Sequence, residues 1–336
     1  MKPGVSIVIP TWNGIALLER FLPSVTAAAS AYASQSSAPV EIVIVDDGST
    51  DETCSFISNL GSEIPDLRFQ ILKNEENLGF AKTCNRGVKA ASHNLVFLLN
   101  NDVELDAGAI APLVENFGDA KTFAAHCRVI ELDSGEECGT GKIGGFARGF
   151  LRVHQSYIPR AGSVAREPLY SIFAGGGSAM FDRESFLRLG GFEELLSPFY
   201  WEDVELSYRA WKRGLKIVYE PRSVARHRVS STIGKLKRSR VRRIEQRNRL
   251  LLHWINLHDR GLMASHMARL ILFALTSPLS LAEALRLLPE VRKRRDEEKR
   301  AARLSDREVI GVFKELAARA DVITYNHREE IDEGGR

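Results

Sequence analysis

Four short apolar runs in the first hundred residues constrain the fold more than any other feature of this sequence. Their apolar residues are consecutive rather than alternating, which is typical of strands that other elements cover on both faces. The predicted strands are Val5 to Ile9, Val40 to Val45, Arg68 to Leu72 and Leu95 to Leu99. Helix-like stretches separate them, and this alternation predicts an α/β fold in which helices flank a parallel sheet.

Helix signals fill the gaps between the predicted strands. Ser49 followed by Glu52 forms a capping-box pattern that predicts a helix running to Leu60. Further helices are predicted over Phe80 to Ala91, Arg183 to Leu189 and Asp203 to Arg213. The glycine-rich segment 128–172 predicts only loops and a few short strands, and three helical stretches are predicted beyond about residue 230.

Polar residues follow three of the predicted strands at the point where each strand ends. The three segments are Pro10-Thr11-Trp12-Asn13-Gly14, Asp46-Asp47-Gly48-Ser49 and Asn100-Asn101-Asp102. Ligands of open α/β sheets bind beyond the carboxyl ends of the strands. We therefore expect all three segments to line one crevice.

Charge divides the chain into two parts. Residues 222–303 contain 21 Lys and Arg against 7 Asp and Glu, a net charge of +14, so the rest of the chain carries −11 within a total of +3. An acidic front suits metal and nucleotide chemistry, and a basic back suits an anionic surface or substrate. The sequence predicts a catalytic domain over 1–230 and a basic, mainly helical extension over 231–336.

The predicted location is cytoplasmic. Four widely spaced cysteines are typical of reduced thiols, no signal peptide is recognised, and the apolar stretch 270–288 is interrupted by Pro278, Glu283 and Arg286. Basic clusters at 235–243 and 292–295 are interleaved with amphipathic helices, which indicates peripheral contact with an anionic membrane surface. A solvated tail or a dimer arm fits the same pattern. Nucleic acid is not an expected partner, because no binding motif accompanies the charge.

Five segments, taken together, resemble family 2 glycosyltransferases, and most closely the bacterial rhamnosyltransferase-type enzymes of surface polysaccharide assembly. They are SIVIPTWNG from Ser6, VDDGSTDET from Val45, NLGFAKTCNRG from Asn77, LLNNDVELD from Leu98 and WEDVELSYRAWKRG from Trp201. They occur in the family's order. The resemblance implies the GT-A fold, an α/β/α sandwich, followed here by a C-terminal helical extension.

The resemblance also implies a nucleotide-binding set. Its members are Pro10, Trp12, Asn13, Asp46, Asp47, Gly79, Phe80, Asn85, Asn100 and Asn101. One of the two adjacent aspartates would accept a hydrogen bond from the base. The alternative for that pair is an ordinary turn and helix cap, since Asp, Gly and Ser serve both roles.

Metal and acceptor positions follow from the same resemblance. Asn100-Asn101-Asp102 occupies the place of the family's DxD motif but lacks its first charge, so Asp102 is the expected ligand of Mg²⁺ or Mn²⁺, with His227 as a second. Asp203 is the expected catalytic base. The expected substrate and acceptor positions are Gly175, Gly176, Gly177, Trp201 and Glu202.

The resulting hypothesis is that the enzyme transfers a hexose or deoxyhexose with inversion. The donor would be a UDP-, dTDP- or GDP-sugar, for example dTDP-rhamnose. The acceptor would be a hydroxyl of a glycan or lipid-linked glycan. Two alternatives stay open. A nucleotidyltransferase shares the fold type, although Thr11 to Leu18 lacks a triphosphate loop, and a catalytically silent binding module would fit the missing charge at Asn100.

Overall fold

The computed structural model describes residues 2–63, 67–161, 168–228 and 237–326. The predicted boundary between residues 230 and 231 and the basic residue Lys235 lie outside these ranges. The strands are β1 Val5–Thr11, β2 Val40–Asp46, β3 Arg68–Lys73, β4 Leu95–Leu99, β5 Val103–Leu105, β6 Thr122–Glu131, β7 Glu137–Gly139, β8 Gly141–Ala147, β9 Phe150–Pro159, β10 Ser178–Asp182, β11 Lys216–His227 and β12 Val322–Asn326. The helices are α1 Ile15–Ser36, α2 Thr53–Glu63, α3 Phe80–Ala90, α4 Ile110–Glu115, α5 Arg183–Arg188, α6 Glu202–Lys212, α7 Arg238–Asn256, α8 Arg260–Thr276, α9 Pro278–Arg286, α10 Leu288–Ala301 and α11 Asp306–Ala317.

The main sheet has the strand order β3-β2-β1-β4-β10-β6-β11-β5, and β7 pairs with β6. All four predicted strands are confirmed, and β1 to β4 run parallel. Successive residues of β2 belong to opposite cores, since Ile42 and Ile44 pack on one face while Val43 and Val45 pack on the other. Consecutive apolar residues are therefore required, because helices cover both faces of these strands.

The segment 128–172 departs from its prediction, because it contains the end of β6 and the whole β8–β9 hairpin. Its strand character was hidden by glycines that the packing requires. A Cβ on Gly141 would lie 2.2 Å from the Tyr157 ring, and one on Gly144 would lie 2.8 Å from Ile172. The third strand of this small sheet is β12, in which Thr324 pairs with Tyr157. A partner so distant along the chain leaves no local sequence signal.

The start of α2 is also different from the prediction. The helix begins at Thr53, whose N–H donates to Asp51 Oδ1 at 3.1 Å. Ser49 does not cap it, because the Ser49 hydroxyl accepts a hydrogen bond from the backbone of Asn13 at 2.8 Å. The Ser49 side chain therefore links the loop after β1 to the loop after β2 and does not cap a helix.

The C-terminal extension packs into the first part of the chain. Its described residues, 237–326, form five helices where three were predicted, and β12 joins β9 in a sheet. The buried carboxylate of Asp306, at the start of α11, lies 2.7 Å from Lys212 Nζ on α6 and also accepts from the Tyr208 hydroxyl at 2.8 Å. The division into domains 1–230 and 231–336 stays a prediction, but these contacts make the extension a support for α6.

Candidate active site

The ends of β1, β2 and β4 meet at one edge of the main sheet. Thr11 is in register with Asp46, and its carbonyl accepts from the Asp47 N–H at 2.8 Å. The Asn101 amide, directly after β4, donates to Thr11 Oγ1 at 2.8 Å. The three polar segments are therefore neighbours, as parallel strands that end together require.

The two aspartates after β2 do different work. The Asp47 carboxylate accepts from the Asn74 side chain at 2.7 Å and from the N–H groups of Leu78 and Gly79 at 2.9 Å each. Asp46 uses Oδ1 for a backbone N–H, while its buried Oδ2 has no hydrogen-bond partner among the described residues. A buried carboxylate oxygen is costly unless a donor reaches it. This arrangement favours Asp46 as the residue that meets a ligand, and Asp47 shapes the loop beside it.

The loop after β1 is held to the loop after β2. Asn13, with a positive φ of 48°, accepts from the Thr50 N–H at 2.8 Å through its side chain. Trp12 is 42% exposed, and Pro10 beside it is half-buried. The exposed Trp12 indole directly follows Thr11, which pairs with Asp46, so it lies in the loop at the same edge of the sheet.

The loop before α3 packs against the segments around Pro198 and Gly176 through two residues. Gly79 has a φ of +84°, and a Cβ there would lie 3.1 Å from the backbone of Pro198. The Phe80 ring, 6.0 Å from that of Phe192, bounds Gly176. Glycine is needed at position 79 for both its backbone conformation and its close approach.

The Asn85 side chain contacts the turn that contains Phe192. Its Oδ1 accepts from the Phe192 N–H at 2.8 Å, and its Nδ2 donates to the Phe192 carbonyl at 3.0 Å. Both ends of the amide are thus used by this turn. Asn85 braces the segment that leads towards α6, and its place in the nucleotide-binding set stays a prediction.

A cavity of about 240 Å³ gathers several of the predicted residues. Asn100, His227, Asp203 and all three glycines from Gly175 to Gly177 line it. Gly177 is close-packed, since a Cβ would lie within 2.6 Å of Asn100 Cγ, and one on Gly176 would press on Phe80 at 3.1 Å. Gly175 has open space around its Cα, so packing does not demand glycine there.

Asp203 reaches this cavity from the first turn of α6. The N–H groups of Val204, at 2.7 Å, and of Gly176 donate to its half-buried carboxylate. Burial raises the pKa of Asp203 to about 6, against these hydrogen bonds, which lower it. The group is ionised at neutral pH yet basic enough to take a proton, which suits a general base.

Glu202 differs from the prediction, because it is buried beside the cavity and does not line it. Burial, followed by the charge of Asp203, raises the pKa of Glu202 to about 8. Its Oε2 is buried and lacks a hydrogen-bond partner among the described residues. A neutral, protonated Glu202 leaves the negative charge on Asp203. Trp201 is likewise buried, packs edge-on against His154 at 6.3 Å, and is not among the residues that line the cavity.

A segment on α7 positions the loop that carries Trp201. The Asn248 amide donates to the carbonyls of Phe199 at 2.9 Å and Tyr200 at 3.0 Å, and also to that of Leu196. Tyr200 and Trp201 both have positive φ, of 72° and 75°. Such conformations persist only where the surroundings enforce them. This part of α7 therefore holds the loop that leads into α6.

Replacing Asn248 with alanine is expected to destabilise the protein by about 1–3 kcal/mol, because buried carbonyls lose their donor. It should also lower kcat, since the loop before Asp203 relaxes. Urea unfolding and initial rates measure the two effects. Arg242→Ala, on an exposed position of the same helix, is the control and should change neither. An unchanged stability in Asn248→Ala would contradict the positioning role.

Asp102 and His227 form the candidate metal pair. The His227 Nε2 atom lies 3.0 Å from Asp102 Oδ1, because β11 ends where β5 begins and His227 pairs with Val103. A carboxylate oxygen and an imidazole nitrogen are both suitable ligands for a divalent first-row ion. In the described part of the chain, no group of three or more His, Cys, Asp or Glu side chains is placed to hold a metal ion.

Sequence reasoning missed two side chains in this cavity, His126 on β6 and Lys142 on β8. Both lie in or next to the region for which only loops and a few short strands were predicted. Neither belongs to a motif, so only the pairing of β6, β8 and β9 could reveal them.

A sequence profile described as glycosyl transferase family 2 matches residues 6–190, more than half of the chain. The chain belongs to glycosyl transferase family 2. This family 2 member is 27% identical over 215 residues to poly-beta-1,6-N-acetyl-D-glucosamine synthase of Staphylococcus aureus, covering 63% of this chain and 48% of that protein. It is 27% identical over 197 residues to a putative polypeptide N-acetylgalactosaminyltransferase 13 of Drosophila melanogaster, covering 56% and 35%. The chain spans about half the length, or less, of these relatives.

Solved structures confirm the GT-A fold of this family 2 chain. GalNAc-T7 with UDP, GalNAc and Mn²⁺ superposes with a TM-score of 0.57 at 21% identity, covering 75% of this chain and 48% of that one. Mannosyltransferase PcManGT from Pyrobaculum calidifontis, in complex with GDP-Man and Mn²⁺, gives 0.54 at 19% identity and covers 95% and 82%. At these identities the likeness concerns the fold alone.

Proposed function

We propose that this chain is an inverting glycosyltransferase that moves a sugar from a nucleoside diphosphate donor to a hydroxyl of a glycan or lipid-linked acceptor in cell-surface polysaccharide synthesis. The observation that carries the proposal is the cavity in which Asp203 and the glycines 175–177 meet Asn100 and His227. The cavity brings the Asp203 carboxylate close to His227, which pairs with Asp102 as a candidate metal ligand.

The donor would lie across the ends of β1, β2 and β4. Asp46 Oδ2 is available to accept the ring N–H of uracil, thymine or guanine, and Trp12 offers an aromatic face. UDP and GDP-Man are the ligands of the two fold neighbours. We infer a UDP, dTDP or GDP donor that carries a hexose or deoxyhexose, and dTDP-rhamnose is the first to test because of the resemblance of the motifs.

Asp203 would act on the acceptor. Its carboxylate takes the proton of the acceptor hydroxyl while the oxygen attacks the anomeric carbon. The bond from that carbon to the diphosphate oxygen breaks, and nucleoside diphosphate leaves. Attack from the face opposite the leaving group inverts the anomeric configuration. A protonated Glu202 keeps the proton-accepting charge on Asp203.

The donor set of Asp102 and His227 fits a divalent cation, either Mg²⁺ or Mn²⁺. Both groups are metal-binding when deprotonated, and they lie at the cavity end where the diphosphate is proposed. When bound, such an ion neutralises the charge that develops on the leaving diphosphate. Asn100 has an uncharged amide where the DxD motif has its first carboxylate. We therefore expect weaker metal binding than a charged DxD motif would give.

Product analysis tests the proposal. The protein is incubated with Mn²⁺ and a panel of UDP-, dTDP- and GDP-sugars, with released nucleotide separated by chromatography. Release of nucleoside diphosphate from one donor is expected. Release of pyrophosphate from a nucleoside triphosphate and sugar phosphate would establish a nucleotidyltransferase instead, and no turnover together with no nucleotide binding would favour a silent binding module.

We further propose that the protein docks on the cytoplasmic face of a membrane through α8 and α9. Six of the nine exposed large apolar side chains in the described part of the chain lie there. They are Met267, Ile271, Leu272, Leu275, Leu279 and Leu285. No helix in the described residues is long and apolar enough to span a membrane. An exposed apolar ridge of this kind fits insertion at the interface.

Charge around this ridge is complementary to anionic lipid. Helix α8 has no acidic residue, and the single one on α9, Glu283, is paired with Arg243 at 3.2 Å. Arg269 and Arg286 are exposed on the two helices, and the exposed Arg242 lies on α7, which packs against α9. Each basic residue near such a surface adds about 1 kcal/mol of attraction.

Sedimentation with phosphatidylglycerol vesicles is expected to pull down the wild type, and phosphatidylcholine vesicles should retain much less. The double variant Ile271→Ser, Leu275→Ser should bind at least about tenfold more weakly, because two apolar side chains no longer enter the interface. Ile323→Ser, an exposed apolar position outside the ridge, is the control. Equal binding by both variants would contradict the docking, and a concentration-dependent mass lost in the double variant would show that a second copy covers the ridge.

A further inference from the structure

The cavity that contains Asp203 also has a cationic side chain for which the proposed chemistry has no use. Lys142 lines it from β8, and Lys142 Nζ donates to Ser156 Oγ on β9 at 2.8 Å. An ammonium group has three donors, and this hydroxyl accepts one of them. Burial lowers the pKa of Lys142 to about 8, and no carboxylate is among the groups that shift it. In the described residues, Asp203 is the acidic side chain that lines the same cavity.

His126 stands near this lysine on β6 and adds a neutral acceptor. Its Nδ1 lies 3.2 Å from the Cys127 carbonyl, which can only accept, so Nδ1 carries the proton and Nε2 is the acceptor. Burial, followed by repulsion from Lys142, lowers the pKa of His126 to about 4. Its Nε2 is buried and without a hydrogen-bond partner among the described residues. His126 is therefore a neutral acceptor, and Lys142 is the one Lys or Arg side chain among the described residues that line this cavity.

A lysine of this kind is costly to keep in a protein interior unless an anion meets it. Lys142 lines the cavity, and its ammonium has donors beyond the one given to Ser156. The inverting chemistry does not require this ammonium, since Asp203 accepts the proton. The group is held by the β8–β9 hairpin, which belongs to a different sheet from β1, β2 and β4, whose ends are the proposed place of the donor nucleotide. Its position assigns it to the acceptor.

We propose that Lys142 selects an acidic acceptor, whose carboxylate or phosphate pairs with the ammonium while a neighbouring sugar hydroxyl donates to His126 Nε2. The inference rests on the proposed glycosyl transfer and names the substrate class of the same cavity. An acceptor of this class is an acidic sugar or a phosphate-bearing glycan unit. Both present the same single-point anion, which a lysine ammonium recognises without the fork geometry of an arginine.

Three small probes that differ at one carbon test the proposal: methyl glucoside, methyl glucuronoside and methyl glucoside 6-phosphate. Each is titrated calorimetrically into the full chain with UDP and Mn²⁺ present. We expect at least one anionic probe to bind about 10- to 100-fold more tightly than the neutral one, the usual scale for a hydrogen bond to a charged group. The stronger of the two anionic probes distinguishes an acidic sugar from a phosphate.

Variants separate recognition from folding. Lys142→Met should abolish the preference for the anionic probe, Lys142→Arg should keep part of it, and Lys121→Met, at an exposed position outside the cavity, should keep all of it. UDP binding should be the same in every variant, so a loss confined to the anionic probes does not bear on the donor site. Equal affinity of the wild type for the three probes, or an anion preference that survives Lys142→Met, would overturn the proposal.

Discussion

Asp203→Asn is expected to lower kcat by about 10²–10⁴-fold, the usual contribution of a general base. Asparagine keeps the shape of the side chain but cannot accept the acceptor's proton. The proposed donor contacts follow β1, β2 and β4, whereas Asp203 lies on α6. The dissociation constant of the nucleotide should therefore stay within about twofold of the wild-type value. Initial-rate measurements of nucleoside diphosphate release and calorimetric nucleotide titration give the two quantities.

Glu202→Gln is the matched control at the neighbouring position. Glutamine mimics the neutral form that burial enforces on Glu202, so kcat should change by less than about tenfold. The wild-type kcat/KM should fall about tenfold per pH unit below about 6, because protonation of Asp203, whose pKa is raised to about 6, removes the base. A larger loss of kcat in Glu202→Gln than in Asp203→Asn would make Glu202, and not Asp203, the catalytic base.

Asp102→Asn is expected to lower kcat/KM by about 100-fold, since a metal ion at a leaving diphosphate contributes several kcal/mol and each tenfold in rate corresponds to about 1.4 kcal/mol. The substitution removes the carboxylate that lies 3.0 Å from His227. Nucleotide titrations with and without Mn²⁺ should show that the metal-dependent gain in affinity is reduced. A response to Mn²⁺ identical to that of the wild type would place the metal elsewhere.

Asn100→Asp provides the opposite change at the same motif. It restores the charge that the family motif has and that this sequence lacks, without altering the size of the side chain that packs on Gly177. Tighter Mn²⁺ binding is expected, since a second carboxylate adds attraction for a divalent ion. The pair of variants therefore tests the metal position by two changes of opposite sign.

The local pattern of the sequence predicted the first half of the sheet well. Strands β1 to β4 appear where the apolar runs stand, and their polar ends meet in one crevice, because parallel strands with a common direction end at a common edge. The order of the motifs also placed Asp203, Asp102 and His227 in one family pattern. Such features are readable because each depends on residues within a few positions of one another.

Contacts between distant segments were not readable in the same way. Asn85 and Asp47 stand within motifs, yet Asn85 is held by a turn 107 residues away and Asp47 accepts hydrogen bonds from the loop that follows β3. Glu202 and Asp203 are adjacent and chemically similar. In the proposed mechanism, burial and access to the cavity assign proton transfer to Asp203 and a neutral role to Glu202.

By itself, therefore, the sequence determined the alternation of strands and helices, the polar edge of the sheet and the acidic residues that we propose for catalysis. Tertiary structure decided which of those residues keep a free atom for a ligand. It also brought Lys142 and His126 to the cavity of Asp203, through the pairing of β8 with β9 and of β6 with β10. The physical reason is that local propensity acts over a few residues, whereas burial, and with it pKa and unsatisfied hydrogen bonding, depends on packing between distant parts of the chain.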